Sequence, residues 1–200
     1  MAVIRAFIAI ELPTEVHQQL DQVMQQLRQR IQALPRSAVR WVPAENIHLT
    51  LKFLGDVSLS NLDLLKERLV IEASEHSPFE LSVGGVGAFP NANRPRVVGV
   101  GVQAPPELSS LQNGIETKLE KIGYPREERP FSPHLTLGRV ARTVTNQEAR
   151  QIGEALQATK VGFLGAVCAE AVHLFKSDLK PTGSVYTCLL SAPLSGKKGS

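Results

Sequence analysis

Two tetrads in this sequence could do chemistry, His48-Leu49-Thr50-Leu51 and His134-Leu135-Thr136-Leu137. With leucine at about a tenth and threonine at about a twentieth of an average sequence, the chance that one of the other four histidines is also followed by LTL is about 0.002. Both tetrads lie in apolar, alternating stretches that predict strands. Strand alternation turns histidine and threonine to one face and the two leucines to the other, into a core. If a pseudo-twofold axis relates the copies, two imidazoles and two hydroxyls converge on one cleft. That set suits a cyclic phosphodiester: one histidine takes a proton from water, the other gives one to the departing oxygen, and the hydroxyls donate to the non-bridging oxygens. An unperturbed imidazole titrates at about 6.5, so a neutral base and a protonated acid can coexist near neutrality.

A single His-x-Thr in an apolar strand is more often a satisfied core histidine than a catalyst, and it is the duplication that reverses the odds. The remaining histidines have no such support. His17 interrupts the polar side of the first helix, His76 ends the second, and His173 lies in a strand without a partner motif. A catalytic zinc site needs about three protein ligands, and neither tetrad carries a nearby cysteine or a repeated carboxylate, so no metal is expected. No phosphate-cradling GxxxxGK[ST] segment is present, and no nucleotide cofactor is expected. Lys52 shares the parity of His48 and Thr50 and is a candidate for the cleft border. Arg126 and Arg129, in the proline-rich loop 124–133, could meet phosphates or simply be solvated.

The elements that must position the tetrads recur in order. RAFIAIEL (5–12) reads as a buried strand, and Pro13 suits a helix start. Val16, Leu20, Val23, Leu27, Ile31 and Leu34 then form one helical stripe ending before Pro35. The first tetrad opens the strand 46–55, a helix marked by Leu62, Leu65 and Leu69 follows, and 79–89 reads as a strand. The order then repeats: a strand from Arg96, Pro105-Pro106, a helix with Leu108, Leu111, Ile115, Leu119 and Ile122 on one face, the second tetrad, a helix over 146–159 and a long strand region over 161–175. The chain therefore reads as duplicated. Pro90 to Pro95 is the expected junction between halves, and a last strand near 184–190 could join either lobe.

Composition bounds the rest. At 200 residues with 42% hydrophobic and 20% charged residues, the chain is long enough for one domain with a real core. No apolar run approaches the roughly 20 residues of a membrane span, and the first ten residues lack a basic, cleavable leader, so a soluble cytoplasmic protein is expected. Cys168 and Cys188 sit in apolar surroundings and are expected to be buried reduced thiols. A net charge of +3 and a pI near 9.0 fit a polyanionic ligand only weakly, the more so as Lys197 and Lys198 fall in an expected flexible tail, 193–200. Residues 1–192 are expected to form a single bilobed domain and to act as a monomer.

Together with RAFIAIELP at the start, Trp41-Val42-Pro43-Ala44-Glu45-Asn46 before HLTLKFLG, the stretch SPHLTLGRV and the closing HLFKSDLKPTGSVY, the twin motifs identify a resemblance. Over nearly its whole length the chain resembles the two-histidine (2H) phosphoesterases, and among them the bacterial and archaeal RNA 2′,3′-cyclic phosphodiesterases, formerly called 2′-5′ RNA ligases. The resemblance implies an α+β fold of two similar lobes, each a largely antiparallel sheet backed by helices, facing one another across a cleft. It implies a role in RNA processing: metal-independent hydrolysis of 2′,3′-cyclic phosphate ends to 2′-phosphomonoesters, with His48 as proton donor to the 3′ oxygen and His134 as proton acceptor from water. Thr50 and Thr136 would bind the phosphate. The family also places an aromatic and an arginine five residues past the histidines, here Phe53 and Arg139. Strict alternation turns position +5 away from the cleft, so a bulge is required, and Gly138 would permit one in the second copy. Reversible 2′-5′ RNA ligation at the same site, and a non-catalytic RNA- or nucleotide-binding module, are the alternatives.

Overall fold

In a computed structural model, residues 2–92, 94–181 and 183–197 are described. The chain opens with β1 (Val3–Ile10), then α1 (Thr14–Arg30), β2 (Val39–Trp41), β3 (Leu49–Ser58), α2 (Leu62–Ser74) and β4 (Phe79–Phe89). It continues with β5 (Val97–Gln103), α3 (Pro106–Glu120), β6 (His134–Val140), α4 (Asn146–Ala158), β7 (Phe163–Ala169), β8 (Ala171–Lys180) and β9 (Gly183–Pro193). The helices follow their apolar stripes. In α1, Val16, Leu20, Val23, Met24 and Leu27 are buried, while Ile31 and Leu34 fall in turns beyond the last helical residue. Thr145 and Glu148 form a reciprocal capping box that starts α4.

Among the described residues nine strands form two sheets, ordered β3-β1-β8-β9 and β2-β6-β5-β4-β7, and every pairing among them is antiparallel. The α+β, duplicated architecture is as expected, but the halves are not the lobes. The strand that closes each half is given to the other: β4 pairs with β5 in the second sheet, and β8 pairs with β1 in the first. The region expected as one strand, 161–175, is therefore split at Glu170 into β7 and β8, which serve different sheets. The strands on either side of Pro90 to Pro95, β4 and β5, are neighbours in the second sheet, and Arg96 N–H donates to Phe89 O at 2.9 Å, so the expected junction does not separate the lobes. The last strand, β9, joins the first sheet. Helices α2 and α3 back the first sheet, and α1 and α4 back the second. One apolar core runs continuously between these layers. On the opposite, open face of the first sheet lies a separate small cluster of Phe7, Ala9 and Phe175 with Tyr186 beside it.

Two expectations are corrected. The tail is docked at least to Gly196: Leu194 is buried, its N–H donates to Glu170 O at 2.8 Å, and Gly196 N–H donates to His76 O at 2.9 Å. The remainder of that expected tail, 198–200, lies outside the described residues. Cys168 and Cys188 are exposed free thiols; alternation in β7 buries Val167 and Ala169 and turns Cys168 outward. Among the described residues no helix is long and apolar enough to cross a membrane.

Candidate active site

Both motif strands carry the same irregularity. On β3, Thr50 faces Ala9 and Lys52 faces Ile8, which leaves Leu51 as an extra residue. On β6, Thr136 faces Gly99 and Gly138 faces Val98, which leaves Leu137 extra. A bulge at this point inverts the alternation. Beyond it, Phe53 comes opposite Phe7 and Arg139 opposite Val97, on the same face as the preceding histidine and threonine. The required bulge is thus present in both copies, centred on the second leucine of each motif and not on Gly138. Glycine at 138 answers a packing need instead, because a Cβ there would come within 2.7 Å of Val39 Cγ1 and 3.1 Å of the Trp41 ring.

The bulge also removes Lys52 from the cleft. Its side chain follows Leu51 into the core, where Nζ donates to Glu116 Oε2 at 2.5 Å and to Pro125 O at 2.7 Å. Glu116, on α3, also accepts from Gln112 Nε2 and from the Glu127 N–H. A lysine and a glutamate at 5% and 4% exposure survive in a core only as a hydrogen-bonded pair. Lys52 therefore ties the first motif strand to the loop that leads into the second. Of the loop arginines, Arg126 donates to Thr117 Oγ1.

His48 immediately precedes β3 and lies on an aromatic floor assembled from three other strands. It stacks on Phe7 at 4.6 Å between centroids and near Phe175 at 6.2 Å, with Tyr186 edge-on at 5.3 Å. Burial among these rings pushes its pKa down to about 4; the Asn46 backbone hydrogen bond opposes this, and the positive groups of His17 and Arg139 add to it. His17, set aside from sequence, lies next to the motif, its Nε2 3.0 Å from Ile47 O. The influence of Arg139 on His48 reaches from the second sheet to the first, and β3 and β6 approach one another. The two motif strands, one from each sheet, thus adjoin, as motifs sharing one cleft require.

His134, the first residue of β6, stacks on Phe89 at 4.2 Å. Gly99 makes this possible, since a Cβ there would come within 3.2 Å of the Phe89 ring and 2.8 Å of Leu135 O. His134 Nδ1 lies 2.8 Å from Ser132 O. A carbonyl can only accept, so Nδ1 carries the proton and, in the neutral ring, Nε2 presents a lone pair. Thr50 and Thr136 are half-buried beside Ala9 and Gly99, and Phe53 is 65% exposed at the cleft edge. Sequence reasoning missed Phe7, Phe175, Phe89, Tyr186 and His17. Of these only Tyr186 lay in a quoted motif as a polar aromatic. His76 is held elsewhere, by Glu72 at 2.7 Å. His173 shares the face of Phe175 and approaches Glu11 at 3.6 Å. Among the described residues, no group of three or more His, Cys, Asp or Glu side chains could hold a metal ion.

A family model described as LigT like Phosphoesterase fits this chain twice in tandem, over residues 10–99 and 100–186. The chain belongs to that family. Among curated relatives, the RNA 2′,3′-cyclic phosphodiesterase of Methanothermobacter thermautotrophicus is 35% identical over 187 residues, 92% of this chain and 95% of that one. The protein of the same name from Archaeoglobus fulgidus is 35% identical over 182 residues, 91% of this chain and 96% of that one. Among solved structures, one from Thermus thermophilus superposes with a TM-score of 0.79 at 28% identity, covering 98% of this chain and all of that one. LigT of E. coli, solved in complex with 3′-AMP, gives 0.72 at 28% identity, covering 97% of this chain and 99% of that one. The family match splits near Gly99, in β5, which is after the turn expected as the junction and within the second sheet.

Proposed function

We propose that this LigT-like phosphoesterase opens the 2′,3′-cyclic phosphate at RNA ends to a 2′-phosphomonoester, without a metal, through His48 and His134. The observation that carries the reading is the pair of equivalent His-x-Thr motifs on adjoining strands, each imidazole laid on an aromatic ring. Water attacks phosphorus, its proton passes to Nε2 of His134, the bond from phosphorus to the 3′ oxygen breaks, and His48 protonates that oxygen. Hydroxyls of Thr50 and Thr136 donate to the non-bridging oxygens, where charge accumulates. Arg139 supplies a fixed guanidinium for the product dianion. Phe53, at the rim, offers a face for the terminal base. The names of the two archaeal relatives support the same substrate. Two exposed free thiols suit the reducing conditions of the cytoplasm.

His48 is neutral above about pH 4 in the free protein, whereas the proposed role needs its proton. The substrate resolves this, because a bound phosphodiester anion favours the imidazolium and draws the proton onto the ring. The deciding experiment is hydrolysis, in EDTA, of a short RNA ending in a 2′,3′-cyclic phosphate, with identification of the product. The expected result is the 2′-phosphate, with His48→Ala and His134→Ala each slower by about a hundredfold or more. Activity abolished by EDTA would overturn metal independence, and no turnover by folded protein would overturn the enzymatic reading.

A further inference from the structure

We propose that a second anion site lies beside the reacting centre, in which Arg40 binds the RNA phosphodiester on the 5′ side of the terminal nucleotide. The proposal rests on the RNA reading above and extends it along the strand. Arg40 on β2 is the direct cross-strand partner of Arg139 on β6. Directly opposite residues share a face, and their Cβ atoms lie about 5 Å apart. The neighbouring pair, Val39 and Val140, is buried, so Arg40 and Arg139 both project from the cleft side. Like charges in that relation destabilise a sheet. A counterion on the protein would relieve the repulsion, yet among the described residues neither guanidinium has a hydrogen bond or ion pair.

The pair belongs to a larger patch. Three segments meet at this end of the second sheet: Ala141 N–H donates to Ala38 O at 2.9 Å, Val140 N–H donates to Arg96 O at 3.0 Å, and Arg139 faces Val97. They bring together Arg36, Arg40, Arg94, Arg96, Arg139 and Arg142, all exposed and, among the described residues, none in an ion pair. No acidic residue occurs in 35–42, 94–97 or 138–144. Of the acids that follow these segments most closely, Glu148 is taken up at Thr145 by the helix cap, and Glu45 is exposed beyond Pro43. A net charge of only +3 over the whole chain makes such segregation a local feature rather than general basicity. Six unneutralised guanidiniums fit a run of phosphates better than a single one, and planar guanidinium suits phosphate oxygens. Beyond the bulge Arg139 lies on the same face of β6 as Thr136, which assigns Arg139 to the reacting phosphate and its cross-strand neighbour Arg40 to the next one upstream.

The test compares two substrates with wild type and Arg40→Gln: a 2′,3′-cyclic mononucleotide, which has no upstream phosphodiester, and a trinucleotide ending in the cyclic phosphate. The expected result is a drop in kcat/KM of about tenfold on the trinucleotide and less than twofold on the mononucleotide. The salt dependence of trinucleotide KM should become shallower by about 0.7 in log–log slope, the value for one lost contact to a single strand. Thermal stability should hold or rise, since a repulsive pair has been removed. Equal losses on both substrates, or no loss on either, would overturn the site. If wild type turns over neither substrate, the parent reading has failed, and anisotropy binding of a labelled trinucleotide 2′-phosphate decides separately. Weaker, less salt-dependent binding by Arg40→Gln would uphold the anion site, and equal binding would overturn it.

Discussion

The two copies of the motif share sequence, bulge and a stacked ring, yet their histidines live in different solvents. His48 lies among Phe7, Phe175 and Tyr186 and is pushed well below the ordinary imidazole range. His134 rests on one ring among the described residues, that of Phe89, and is oriented by the Ser132 carbonyl. The fourth position past each histidine differs as well: a buried lysine salt-bridged to α3 in the first copy, and a glycine pressed against Val39 and Trp41 in the second. Duplication supplies two equivalent groups, but acid–base catalysis needs two inequivalent ones. The surroundings, more than the motif, create the inequivalence.

The largest effect should come from the histidines themselves. His48→Gln and His134→Gln should each lower kcat on a cyclic-phosphate RNA by about 10² to 10⁴. The comparison becomes sharper with a 4-nitrophenyl phosphodiester, whose leaving group departs without a proton. On that substrate His48→Gln should recover most of its loss and His134→Gln should not. The opposite pattern would exchange the two roles, and equal losses on both substrates would show that neither histidine is specialised.

Next is the Lys52–Glu116 pair. Lys52→Met leaves a buried carboxylate without its cation, which typically costs about 3–5 kcal/mol, and urea unfolding should show it. Lys52→Met with Glu116→Leu should recover most of that stability, because a well-packed apolar pair replaces buried charges with little net cost. A loss below about 1 kcal/mol in the single variant would mean that water reaches the pair.

A smaller, pH-dependent term follows from His48. Its folded-state pKa of about 4 lies below that of the unfolded chain, about 6.5, so between these values the unfolded chain binds the extra proton. The stability contribution is complete above about pH 6.5 and is lost as pH falls toward 4, on the order of 3 kcal/mol in all. His173, also lowered by burial, adds in the same direction. His48→Gln should flatten the slope of unfolding free energy over this window. In an NMR titration, a bound 2′-phosphate nucleotide should raise the His48 pKa. A value still at 4 in the complex would argue that His48 is the base.

Much of this was legible in sequence, for identifiable reasons. Periodicity announced the helices, and a tetrad recurring in order announced the duplication. The exchange of β4 and β8 between sheets was hidden, because hydrophobic alternation states that a strand is buried and not which strand it pairs with. Lys52 was misplaced for a related reason: the partner that allows its burial, Glu116, lies on α3 and is contiguous only in three dimensions. The aromatic floor under His48 draws on β1, β8 and β9, so no local pattern could reveal it. The bulge that brings Phe53 and Arg139 to the cleft was inferred from position +5 alone, and Leu51 shows that the first copy bulges with no glycine beside it.

Gly138 supplies the smallest and most discriminating comparison. Gly138→Ala should destabilise the protein by about 1–3 kcal/mol, an overpacking cost, because the new methyl meets Val39 and Trp41 at 2.7 and 3.1 Å. Its φ is not positive, so the loss is steric and should be relieved by Val39→Ala, which removes the Cγ1 atom in the way. Differential scanning calorimetry of the two single variants and the double would measure that coupling. Recovery in the double variant would make the +4 position a packing position in both copies, filled by a salt-bridged lysine in one and by nothing in the other. Additive losses would instead give Gly138 a backbone role in the second bulge, and the two bulges would then be built differently.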